Sequence, residues 1–356
     1  MIMQRLSAVL ATFGIVGGLL LAISSTAAGQ ALELNLSVDG QLIHIFPTVD
    51  MIKAAAAAGH NGGTPPLLYK GGPVLLSPTV YAIFWVPPHL QDGHATSLSS
   101  AYQTVQTNLL NEYFGHSIAN NNTQYYQVVG GIKSYIQNKG SFGGSYVDTS
   151  PYPGSDCFDP SNELTNGNNC ISDADLKNEI TKVMRTKGWT GGLNKLFLLY
   201  TSSDEGQCAV SQTNCSYANY CAYHSAFTNS SNQIVVYTNQ PYGLNAGSPC
   251  QVPNAPSPNG NPAADTAATA ASHEITESIT DPLINAWKDS SGSEIGDECA
   301  YYYGLVGWDS GKANELWDGH PFLLQTEYSN YLQKYYFSDT NYRAALTLVP
   351  RYDLSL

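Results

Sequence analysis

The sequence predicts one mixed α/β (α+β) domain: a mixed sheet with a backing helix, a late polar helix, and a loop-rich, disulfide-bearing C-terminal part. Three observations predict it. Short apolar runs bounded by turn residues alternate with segments of helical period, an order that mixes strands and helices in one layered unit. One run, residues 195–200, is apolar without alternation, as a strand covered on both faces is. Seven cysteines gather between 157 and 299, in segments rich in Asn, Ser, Gly and Tyr.

Residues 1–29 read as a signal peptide. Arg5 precedes an uncharged stretch over 6–23, and the small residues Ser24 to Gly29 offer a cleavage site. The stretch approaches the ~20 residues that span a bilayer. Thr12, Gly14, Gly17 and Gly18 interrupt it, so cleavage is expected, with no stable membrane insertion afterwards. Residues 30–70 read as a leader or linker arm, because an Ala run at 54–58 leads into His-Asn-Gly-Gly-Thr-Pro-Pro at 60–66. The domain proper is expected over 71–356.

The first strong strand covers 79–86 and stops at Pro87-Pro88. Tyr102, Val105, Leu109 and Tyr113 recur at helical spacing, which predicts a helix over about 98–114. Residues 125–129 and 134–136 read as extended. Ser172 is placed to cap a helix over 173–187, because its hydroxyl accepts from an early backbone N–H, and Gly188 ends it. Strands follow at 195–200 and 233–237. A last helix over 263–279 closes at Asp281-Pro282.

Charge excludes some functions. The chain carries a formal −13, and Arg5 is the sole charge in 1–29, so the mature protein stands near −13 − 1 = −14. An acidic surface is repelled by phosphate backbones, which excludes a nucleic-acid partner. Charged residues are only 12%, against the usual ~25%, so uncharged polar side chains cover the surface. The cysteines point to an oxidising, extracellular compartment. None forms a CxxC pair, which argues against a zinc ribbon. Cys157 and Cys170 flank a polar loop as a disulfide staple does. The pairing of the others is open; the odd count leaves one thiol, assigned to Cys299.

The chemistry concentrates in the last helix, at His273-Glu274-Ile275-Thr276-Glu277. Positions i and i+4 share a helix face, so His273 and Glu277 can hold one cation together, with Glu274 beside them. This is the layout of zincins, two ligands on one turn plus a Glu as general base, with Glu in place of the second His. The competing reading is a polar face with solvated carboxylates. Glu294, Asp297 and Glu298 follow Glu277 by 17 to 21 positions, long enough for a turn and a return segment to bring a carboxylate back. His224, in the cysteine-rich loop, and Asp281, at the helix end, are further candidate ligands. His224 also fits a loop imidazole bonded to carbonyls. His44, His60, His89, His94, His116 and His320 read as surface or packing residues.

Zinc on neutral imidazoles lowers its water's pKa to about 7. Added carboxylates cancel that charge and shift preference toward harder ions such as calcium or manganese. The chain has no GxSxG elbow, P-loop or GxGxxG fingerprint. Trp287, Trp308, Trp317 and Tyr301-Tyr302-Tyr303 could stack on sugars or pack in the core.

These residues resemble the EXORDIUM-like (phosphate-induced protein) family of secreted plant proteins, of which this chain would be a bacterial-type or divergent member. The match runs through Ser272-His273-Glu274-Ile275-Thr276-Glu277, then Asp281 to Trp287, then Glu294-Ile295-Gly296-Asp297-Glu298-Cys299. Weaker matches are Gly71 to Leu76, Leu198 to Cys208, Cys221-Ala222-Tyr223-His224 and Phe322 to Gln325. The family's Gly-rich stretch after the Cys is reduced here, and the Cys208–Cys221 loop is enlarged. The resemblance implies an extracellular location and a link to cell-wall growth, without supplying a reaction. It makes His224, His273, Glu277, Glu294 and Asp297 the natural metal ligands.

Two functions are therefore expected. The first is a secreted, zincin-like zinc hydrolase acting on a peptide or cell-wall polymer, with Glu274 as base. The alternative is a non-catalytic extracellular carbohydrate- or cell-wall-binding protein with a structural metal site.

Overall fold

Alternating side chains along seven strands build the central sheet. The computed structural model describes residues 32, 34–57, 65–161, 167–210, 213–244, 249–332 and 334–336. The predicted signal segment and His60 lie outside them. The strands are β1 (Asn35–Val38), β2 (Gln41–Pro47), β3 (Thr79–Trp85), β4 (Ser141–Asp148), β5 (Lys195–Thr201), β6 (Tyr220–Thr228) and β7 (Ile234–Gln240). Their spatial order is β1-β2-β6-β7-β5-β3-β4. Strands β7, β5, β3 and β4 pair in parallel. Strands β1, β2, β6 and β7 pair antiparallel. The sheet is mixed, as predicted.

The helices are α1 (Val49–Ala57), α2 (Ser100–Glu112), α3 (Ser117–Asn121), α4 (Asp173–Lys187) and α5 (Pro262–Thr280). Helices α2 and α5 cover one face of the sheet, packing on Val80, Ala82, Phe84, Leu196, Leu198 and Tyr200. Helix α4 covers the other, against Ile83, Trp85, Phe197 and Leu199. Period-2 alternation thus sends successive residues of β5 into two different cores, which is why the run lacks polar positions.

Local signals set the helix ends. Ser172 Oγ accepts from Asp175 N, and the Asp175 carboxylate accepts from Ser172 N, a reciprocal cap that starts α4. Gly188 ends it in the left-handed region at φ 67°. Asn261 caps α5 through its side chain, with Pro262 at the first turn. Residues 263–280 are all buried. Five alanines of α5, Ala263, Ala264, Ala267, Ala268 and Ala271, let it lie close on the sheet.

Several expectations need correction. Residues 30–70, read as an arm, supply β1 and β2 to the main sheet. Asp39 and Gly40, at φ 49° and 81°, form the two-residue turn between them. Residues 220–228, read as loop, form β6, so His224 is a strand residue and not a loop imidazole. Strand β4 was also unforeseen.

The three disulfides are Cys157–Cys170, Cys208–Cys215 and Cys221–Cys250. Cys299 is free and buried, its Sγ 2.7 Å from Thr326 O. No described helix is long and apolar enough to cross a membrane.

Candidate metal centre

The sheet register places two histidines side by side. His44 on β2 and His224 on β6 are direct cross-strand partners, with ring centroids 5.4 Å apart. Both point to the face covered by α5. The last turns of α5 present His273, Glu274 and Glu277 to them. Two aspartate-centred turns then bring the chain back. Asp281 Oδ1 accepts from Asn285 N and Ala286 N, each at 2.6 Å. Asp289 Oδ1 accepts from Ser291 N, Gly292 N and Ser293 N at 2.7–2.9 Å. The return segment delivers Glu294 and Asp297.

Gly296 makes the close approach. Its N–H donates to Glu277 Oε1 at 3.2 Å. A Cβ there would lie 2.5 Å from His273 Nδ1. Gln325 contacts that Nδ1 at 2.8 Å and donates to Gly296 O at 3.1 Å. This second layer orients the imidazole so that Nε2 faces inward. Phe46 stacks on the same ring at 4.1 Å between centroids.

Seven side chains converge: His44, His224, His273, Glu274, Glu277, Glu294 and Asp297. Their donors fall into three groups, each within 4.8 Å: His44–Glu277–Glu294, His224–Glu274–Glu277 and His273–Glu277–Asp297. Glu277 belongs to all three. Its Oε2 lies 3.1 Å from His273 Nε2, and 3.7 Å from both His44 Nε2 and His224 Nδ1. His44 Nε2 contacts Asp297 Oδ2 at 2.8 Å, and His224 Nε2 lies 3.7 Å from Glu294 Oε2. The five predicted ligands and the predicted base therefore come together. Glu274, read as the base beside the two helix ligands, itself sits within a donor group, its Oε2 3.2 Å from His224 Nδ1.

Sequence reasoning missed His44, which is neither surface nor packing: it is fully buried in this cluster. The signal was Asp39-Gly40 between alternating apolar runs, which marks a hairpin and makes residue 44 an inward strand position. Glu327 was also missed. It is fully buried nearby, beside the Gln325 side chain.

The environment is costly for charge. Six of the seven residues are wholly inaccessible, and Asp297 is 7% exposed. Among the described residues, His273 Nε2, Glu277 Oε2, both Glu294 oxygens and Asp297 Oδ1 lack hydrogen-bond partners. Burial, then the neighbouring carboxylates, pushes Glu274 and Glu294 well above the usual carboxylate range. Burial, reinforced by His44 and His273, holds His224 far below an ordinary imidazole and so neutral. Burial also opposes the charge on both His44 and Asp297, but Asp297 and Glu277 together raise His44, and His44, His273 and the Glu294 N–H together lower Asp297.

These residues fit a metal ion. Unpaired buried carboxylates cost several kcal/mol each unless a cation meets them. Among the described residues, no lysine or arginine forms an ion pair with them; only the imidazoles do. Inward unpartnered nitrogen and oxygen donors are what a coordinated ion completes. A separate cysteine group, Cys157, Cys170 and Cys208, is engaged in disulfides.

The aromatic residues considered for sugar stacking mostly pack inside. Trp287, Trp317, Tyr301 and Tyr303 are buried. Comparison of the chain with protein-family models, curated proteins and solved structures gave no match.

Proposed function

We propose that this protein is an extracellular metalloprotein whose His/carboxylate centre holds a transition-metal dication, zinc first among them, in a closed structural site. The supporting observation is the convergence of seven buried side chains with unpartnered donors on Glu277. Three imidazoles favour zinc over calcium, which takes oxygen ligands. The ion would fasten β2, β6, α5 and the 294–297 segment together.

A zincin-type hydrolase needs an open coordination position for water and substrate. Full burial of Glu274 and its ligating neighbours supports the structural reading over the catalytic one. Three disulfides fit an oxidising compartment. The EXORDIUM-like resemblance supports the same location and, through it, a role at a cell wall.

The test is elemental analysis of the purified protein beside His273→Ala. Stoichiometric zinc in the native protein, depleted in the variant, is expected. Two results would sink the reading: no metal in the native protein after zinc is supplied, or equal metal in both.

A further inference from the structure

The centre holds more donors and more negative charge than one cation uses. Glu274, Glu277, Glu294 and Asp297 bring four carboxylates to one buried cluster, with three imidazoles. Zinc typically takes four ligands, which would leave three side chains without a role. Carboxylates bind an ion in their deprotonated form, and one dication would balance only two of four so ionised. Lys288, whose Nζ donates to Ile284 O at 2.7 Å, forms no ion pair with them among the described residues and would offset one charge at most.

We propose that the centre binds two divalent cations bridged by Glu277; this rests on the metal-centre reading above. The donors divide into two sets of four that share one residue. His273, Asp297 and Glu277 form one triangle, and His44 joins it through Asp297 Oδ2 at 2.8 Å and Glu277 Oε2 at 3.7 Å. His224, Glu274 and Glu277 form the other, and Glu294 joins it through Glu277, their donor oxygens lying within 4.8 Å of each other. The two sets use all seven side chains, and two dications match four carboxylates. Glu277 Oε2 lies between His273 Nε2 at 3.1 Å and His224 Nδ1 at 3.7 Å, and it has no hydrogen-bond partner. A carboxylate in that position bridges ions ~3.5–4 Å apart, the spacing of two-metal sites.

The experiment strips the purified full chain with chelator and reloads it, first with zinc and then with Mn²⁺. Two zinc ions per chain are expected, together with the electron paramagnetic resonance spectrum of an exchange-coupled manganese pair. Glu277→Gln is expected to abolish the coupled spectrum, and Glu274→Gln to leave about one ion per chain. One zinc per chain, or isolated-ion manganese spectra at full loading, overturns the bridged pair while leaving a metal centre standing. No binding of either metal overturns both. The measurement on the native chain decides even if a variant does not fold.

Discussion

The two faces of the sheet bury carboxylates in opposite ways. Under α4, each acidic group has a partner from the chain itself. Asp173 accepts from the hydroxyls of Tyr223 and Tyr237 and pairs with Lys177 at 2.9 Å. Asp148 and Glu179 share Lys182. Under α5, four carboxylates and three imidazoles meet with no lysine or arginine paired to them among the described residues. Lysine stems can reach the first face from solvent, because Lys177 and Lys182 are partly exposed. The second face is sealed by a helix that is buried along residues 263–280. The difference teaches that a polar interior can be neutralised by protein cations or be built for a cation from outside. On the metal-centre proposal, the α5 face has the second design.

That contrast can be broken from either side. The largest effect is expected at Gly296→Ala. The added Cβ would meet His273 Nδ1 at 2.5 Å, so the ring must shift. We expect metal content to fall sharply and stability to drop by about 1–3 kcal/mol, the usual range for overpacking. Native metal content in the variant would show that His273 does not hold the ion.

Lys177→Met sharpens the other face. It removes a charge-assisted contact to nearly buried Asp173, a loss of about 2 kcal/mol by denaturant unfolding. The loss should be the same with and without chelator, because this face supplies its own cation. A chelator-dependent loss would mean that the two faces are not independent.

A pH-dependent effect is expected from Glu205. Burial, opposed by a hydrogen bond from Gln91, raises its carboxyl to about 8. The folded state holds that proton more tightly than the unfolded state, whose value is near 4.5. Its contribution is therefore fully present below pH 4.5 and is lost as pH rises to about 8. Glu179, raised to about 7 by burial and by Asp148, acts in the same direction. Glu205→Gln should flatten stability against pH across that window. An unchanged slope would assign it elsewhere.

The contrast was half visible in the sequence. Helix α4 announced itself through Ser172, Asp175 and Gly188, because caps are local chemistry. The HExxE turn was legible for the same reason, since residues four apart on a helix share a face. Strand β5 was legible as an unbroken apolar run. The other half of the centre depends on register between distant strands. His44 meets His224 only because β2 pairs with β6 across more than a hundred residues of chain. Cysteine density around 208–221 concealed the alternation of β6, and the Ala run after 53 drew the hairpin at Asp39-Gly40 into a supposed arm. Cys299 was left unpaired by counting, whereas the pairing of Cys208 with Cys215 and of Cys221 with Cys250 needed the fold.

The most direct test is thermal unfolding of the native protein before and after chelation, with zinc added back. Metal held at 1,000 times its dissociation constant stabilises by about 4 kcal/mol, which for a domain of this size is a shift of about 10 °C. We expect chelation to lower the midpoint by that order and zinc to restore it. An unchanged midpoint, in protein shown to carry no metal before treatment, would contradict the account.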